Sequence, residues 1–191
     1  MPAYDREPAP QDAMHVPDDA LPERPEVRAL VDALSARHRR SSAEAAAVLP
    51  SLAEEIARSS GAPLLRTLHE LVAGLFHELA AHLEREERVL FPYLLALAEA
   101  EASKQPPPRP PFVTAARPIH VMHADHEAIR LLIVEIGTIL DRVATDAVDH
   151  PRWCELVTGL EAHASELEHT LRVEDDVLFP AALALEARLR G

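Results

Sequence analysis

From residue 26 onward, apolar residues return every third or fourth position instead of alternating, the spacing of helices that bury one face. Four such stretches predict four helices. The first, roughly 26–58, sets Val27, Leu30, Leu34, Ala45, Leu49, Leu52 and Ile56 on one stripe and stops at Gly61-Ala62-Pro63. The second, roughly 63–100, runs through Leu64, Leu68, Leu71, Leu75, Leu79 and Leu90. The third, roughly 118–146, uses Ile119, Met122, Ile129, Ile133, Ile136, Leu140 and Val143; the fourth, roughly 151–188, uses Trp153, Leu156, Leu160, Leu167, Leu171, Leu178 and Leu185. Polar residues interrupt each stripe: His38 in the first, His82 and Glu86 in the second, His126 in the third and Glu174 in the fourth.

The connections decide how these helices are arranged. A proline-rich connector, residues 103–118, stiffens the middle of the chain, and the other joints are short. The expected fold is therefore all-α, an up-down-up-down four-helix bundle over residues 26–191. Residues 1–25 hold six prolines and several acids with no apolar period, which predicts a disordered tail.

The second half of the chain repeats the first. "HLEREERVLFP" at 82–92 and "TLRVEDDVLFP" at 170–180 align at an offset of 88, and nine of sixteen positions are identical between 82–97 and 170–185. The same offset lays His38 on His126, Glu78 on Glu166, Leu79 on Leu167 and Leu52 on Leu140. The bundle is thus expected to be two pseudo-repeated helical hairpins. Helices one and three each bring a His, helices two and four each bring a Glu, and antiparallel packing sets them at one height.

Any one His on an apolar stripe is most simply a hydrogen-bonded core residue, but five stripe positions related by a repeat make a ligand set. Glu86 and Glu174, buried without cations, would each cost several kcal/mol, so a metal supplies the missing positive charge. Imidazoles with bridging carboxylates suit iron, manganese or zinc, whereas calcium wants more oxygen donors. The lone Cys154 stands at no such position, which disfavours an iron-sulfur cluster held by this domain.

Charge and composition narrow the partners. A net charge of -13 repels phosphate backbones and anionic membrane faces, so neither nucleic acid nor membrane is expected. One cysteine, no secretory pattern at the start and no run long enough to span a bilayer point to the cytoplasm. Nothing in the sequence specifies the oligomeric state.

The segments "HLEREERVLFP", "PIHVMHADHEA" and "VEDDVLFP" resemble hemerythrin-like cation-binding domains, and in particular the di-iron domain of bacterial iron-sulfur cluster repair proteins. The resemblance runs over roughly residues 26–188. It implies two non-heme iron ions, with His38, His82, His126, Glu86 and Glu174 as ligands. It also implies a small ligand (dioxygen, nitric oxide or peroxide) that is bound or sensed, or iron-sulfur cluster repair. A third reading is a metal-depleted bundle serving as an interaction or sensor module.

One position departs from the family and the repeat alike. Both ask for a His at 170, and the chain has Thr170, with His169 beside it. In a regular helix, five residues separate side chains by about 140°, so His169 does not share the face of Glu174. Three outcomes stay open: a π-bulge between 169 and 174 that restores His169 as a ligand, a position left to water or to His123, or a second metal bound weakly or not at all.

Overall fold

The computed structural model describes residues 26–109, 112–143 and 151–191. The sequence-predicted tail at 1–25 lies outside the described residues. Within them the chain is all-helical: α1 (Val27–Ser60), α2 (Pro63–Arg85), α3 (Phe91–Ser103), α4 (Ala116–Arg142), α5 (Trp153–Val173) and α6 (Phe179–Arg190). Five-residue π turns, Glu86–Leu90 and Glu174–Leu178, join α2 to α3 and α5 to α6, so that four long rods make a four-helix bundle. The two π turns are themselves 88 residues apart, the offset of the sequence repeat.

Local chemistry explains the boundaries. Gly61 ends α1 in the left-handed conformation (φ 68°), which costs glycine little, and its N–H caps Ala57 O. Pro63 then opens α2 at a position where no backbone donor is needed. The third rod ends at Arg142, short of the expected 146, because Val143 turns extended.

The π turns have a cause in Val-Leu-Phe-Pro. Proline in a helix interior lacks an N–H and clashes with the carbonyl four residues back. Widening the turn ahead of Pro92 and Pro180 relieves this: Phe91 N–H reaches Glu86 O and Phe179 N–H reaches Glu174 O, five residues back instead of four.

Two separate apolar clusters fill the bundle. One, around Leu52, Ile56, Leu68, Val72, Ile129, Leu156 and Leu171, draws on α1, α2, α4 and α5. The other, around Val31, Leu90, Leu94, Leu97, Met122, Leu178 and Leu185, draws on α1, α3, α4, α6 and both π turns. Between them lies a belt of buried polar side chains: His38, His82, Glu86, His126, Thr170 and Glu174. Beyond it, Glu186 is buried among the apolar residues of the second end, where it accepts bonds from Tyr93 Oη and the Ala115 N–H. Among the described residues no helix is long and apolar enough to cross a membrane.

Candidate metal centre

Each helix delivers its site residue by the same geometry. His82 and Glu86 are four apart and share a face of α2 and its π turn. Glu174 begins the equivalent π turn, while His38 and His126 project from the first halves of α1 and α4. All five meet in the belt, with Glu86, His82, His126 and Glu174 fully buried and His38 only 4% exposed.

Glu174 is the shared element. Its Oε1 lies 3.1 Å from His38 Nε2, and its Oε2 lies 3.1 Å from His126 Nε2 and 3.9 Å from His82 Nε2. Glu86 Oε2 is 3.3 Å from His38 Nδ1 and 3.6 Å from His82 Nε2. Two donor clusters follow, His82-His126-Glu174 and His38-Glu86-Glu174, each with its ligand atoms within 4.8 Å of one another.

These atoms face one another without hydrogen bonding. Twelve buried side-chain nitrogens and oxygens among the described residues lack a hydrogen-bond partner, and nine of them belong to the five site residues. At about 1–3 kcal/mol per orphaned group, nine carry a cost comparable to the whole stability of a domain, about 5–15 kcal/mol. Cations held by three imidazoles and two carboxylates would remove that cost, and the donor set suits a borderline transition metal.

The electrostatics of the metal-free belt are correspondingly strained. Burial alone would lower His38, but the carboxylates of Glu174 and Glu86 outweigh it and hold its pKa up at about 10. Burial, and next the charge of Glu174, raise Glu86 above the usual carboxylate range. Burial would raise Glu174 too, yet hydrogen-bond-range contact with His126 and His38 keeps it low. His82 is pushed down by burial, which Glu174 offsets only in part.

Two carboxylates lie behind the imidazoles, one bonded to its ring and one further off. Asp175 Oδ1 lies 2.8 Å from His126 Nδ1 and is fixed by Arg130 Nη2, 2.8 Å from its other oxygen. Asp125 Oδ2 lies 3.7 Å from His82 Nδ1 and accepts from Arg85 Nε at 2.8 Å. The carboxylate bonded behind His126 leaves its Nε2 aimed at the centre, the usual support for a metal-bound imidazole, whereas Asp125 stands near His82 without bonding to it. Reading the sequence did not find Asp125, Asp175, Arg85 or Arg130. The signal was present in the repeat: beside the repeated site positions, Asp125 stands in place of Arg37 and Asp175 in place of Glu87.

Around position 170 the helix keeps its ordinary turn. No bulge lies between 169 and 174, because the π turn begins at Glu174 and runs downstream; α5 keeps its α-helical phase and His169 is exposed. His123 is also exposed on its outer face, and its Nδ1 pairs with Asp175 Oδ1 at 2.9 Å instead of reaching the centre. Neither stands in for the missing imidazole. Thr170 occupies the place, buried, with Oγ1 donating to Glu166 O at 2.9 Å. Its surroundings changed with it. Where Asp125 backs His82, the equivalent Arg37 instead pairs with Glu166, Nη2 to Oε2 at 2.7 Å.

Other histidines sit apart. His163 is buried and stacks on Phe76 with ring centroids 5.2 Å apart, His69 is half-buried, and His77 and His120 are exposed. Trp153 is buried at the start of α5 and Cys154 is exposed.

A four-helix bundle carrying paired His/Glu donor clusters on a twofold repeat is a cation-binding class of fold, and residues 29–182 match the hemerythrin HHE cation-binding domain. The chain belongs to that family. Among characterised proteins it is similar to the iron-sulfur cluster repair protein YtfE of Yersinia pseudotuberculosis serotype IB (strain PB1/+), 27% identical over 149 residues. The same protein from Yersinia pestis (strain Pestoides F) and from Yersinia pseudotuberculosis serotype O:1b (strain IP 31758) matches at the same 27%. In each case the match covers 77% of this chain and 60% of the relative, so the chain spans about three-fifths of the length of these proteins.

Proposed function

We propose that the bundle holds a non-heme di-iron centre and that this centre binds a small oxidising or gaseous ligand: dioxygen, nitric oxide or peroxide. The single observation that carries the reading is the set of nine orphaned donor atoms on His38, His82, Glu86, His126 and Glu174. His82 and His126 with Glu174 would hold one ion, and His38 with Glu86 and Glu174 the other. When bound, the irons supply reversible ligand binding and one-electron chemistry at oxygen or nitrogen. Asp175 keeps the ring proton of His126 on Nδ1, so that its Nε2 offers a lone pair. Thr170 offers no imidazole, which leaves the His38 side one protein donor short and favours ligand binding there.

A second reading draws on the relatives, whose name is iron-sulfur cluster repair: the centre would release iron to a damaged cluster. The shortage of donors at Thr170 favours a labile ion as well as an open one. A cytoplasmic location suits both readings.

Metal analysis with optical and Mössbauer spectra on the protein, Thr170→His and His38→Ala tests both. Two irons per chain, tightened by Thr170→His and reduced by His38→Ala, are expected; manganese or zinc in their place would reassign the metal. Well under one ion per chain in protein expressed with ample iron would sink both readings and leave a metal-depleted interaction module. Transfer of iron to an apo-ferredoxin separates repair from ligand binding.

A further inference from the structure

Three of the twelve orphaned buried atoms lie outside the five site residues, and two of them are the ring nitrogens of His163. His163 is only 6% exposed and stacks on Phe76, a contact that takes a face of the ring and satisfies neither nitrogen. Burial lowers its pKa, an effect that the charge of Glu166 offsets only in part, and the neutral ring carries one donor and one acceptor. Both need partners. Two cavities meet at this ring. One is a small void of about 10 Å³ between α1 and α5, lined by Ser42, His163 and Thr170 beside His38. The other is a cleft of about 360 Å³, open to solvent and lined by Arg40, Ser41, Glu44, His163 and Glu166.

The repeat sets these residues apart. At the offset of 88, His163, Ser41, Thr170 and Ser42 stand where the other half has Leu75, Ile129, His82 and Arg130. Leu75 and Ile129 are buried in an apolar cluster, so the equivalent place is packed where this one is polar. We propose that His163, Thr170 and Ser42 hold an internal water beside the position where the repeat calls for an imidazole, and that the cleft between α1 and α5 is its way to solvent. The void has the size for it, since about 10 Å³ admits about one water. The chemistry fits as well, because a buried water needs about two to four polar partners. His163 supplies one as donor or acceptor, the Ser42 hydroxyl a second, and Thr170 Oγ1, which donates to Glu166 O, still accepts. Ser41, His163 and Glu166 line both cavities, so the passage between them runs past polar side chains. On the di-iron reading, this water stands beside the ion that lacks an imidazole, and small ligands would exchange with it through the cleft. That step rests on the reading; the water site does not.

Cross-relaxation between water and the carbon-bound ring protons of His163, read by NMR on metal-free protein, tests the site without iron. Cross-peaks with the sign of an immobilised water are expected in the parent protein. Oxygen-17 relaxation dispersion, which senses the water itself, should count fewer long-lived waters in Thr170→His, where an imidazole fills the void. His163→Leu, which copies Leu75, should lower the melting temperature of metal-free protein, because the water loses a partner. A ring with no partner would instead be improved on by leucine, and the melting temperature would rise. Absent cross-peaks, an unchanged oxygen-17 count in Thr170→His, or a His163→Leu protein that melts at or above the parent would overturn the proposal. Because none of these readings uses iron, an absence of metal would defeat the di-iron reading and leave this result standing.

Discussion

Asp175→Asn preserves the shape of a side chain that joins three partners and removes its charge. Asp175 Oδ1 lies 2.8 Å from His126 Nδ1 and 2.9 Å from His123 Nδ1, and Oδ2 takes the Arg130 guanidinium at 2.8 Å. Loss of a carboxylate behind a metal-bound imidazole lowers metal affinity about 10–100-fold, or about 1.4–2.7 kcal/mol. The Arg130 ion pair is partly open to solvent, so metal-free stability should fall by only about 1 kcal/mol or less. The two effects therefore separate by size. Competition against a chromophoric chelator measures the first, and urea unfolding of metal-free protein measures the second. Asp125→Asn should follow the same pattern more weakly, because Asp125 stands 3.7 Å from His82 rather than 2.8 Å. Glu168→Gln is the control, since it loosens Arg130 without touching His126. Wild-type metal affinity in Asp175→Asn, or an equal loss in Glu168→Gln, would refute the orienting role.

The remaining predictions concern protons, the far end of the bundle and the displaced histidine. A group whose pKa is raised on folding stabilises fully below its unfolded value and loses that contribution as pH rises through its folded value, here from 6.5 to about 10 for His38. Since a metal takes the place of that proton, the melting-temperature gain from added metal should grow from about pH 6 to about pH 9, and a flat profile would contradict the His38 assignment. Glu186→Ala removes the acceptor of the Tyr93 hydroxyl and the Ala115 N–H and the partner of Arg190, and urea unfolding should show a loss of about 2–4 kcal/mol with metal content unchanged. His169→Ala, at an exposed position, should leave metal content as it was and shift stability by less than about 0.5 kcal/mol.

The helices and the five central residues were legible because both depend on period: apolar residues at helical spacing mark a buried face, and a repeat exposes polar residues that hold equivalent places on it. On α2 the buried line runs through Leu65, Leu68, Val72, Leu75 and Leu79, with Leu64 and Leu71 flanking it, a rotation of a fraction of a turn from the expected stripe. What periodicity does not carry is reach across helices. Asp125 and Asp175 act on imidazoles of other rods or other turns, and no spacing within one helix announces that. The His169–Glu174 interval stays regular, whereas the turn widens just ahead of a proline in both copies, a cause that spacing between ligands does not carry.

The two apolar clusters bear on how such a chain is divisible. The first hairpin, α1 to α3, supplies roughly one side of each cluster, and so does the second, α4 to α6. Cutting the molecule at its connector would therefore yield two halves that each expose both cores and hold only part of the ligand set. A lone hairpin of this kind regains a closed interior by pairing with an identical copy about a twofold axis, and the matching of His38 with His126 and of Glu86 with Glu174 keeps that symmetry inside a single chain. Thr170, Arg37 and Ser42 mark where one half has since drifted from the other.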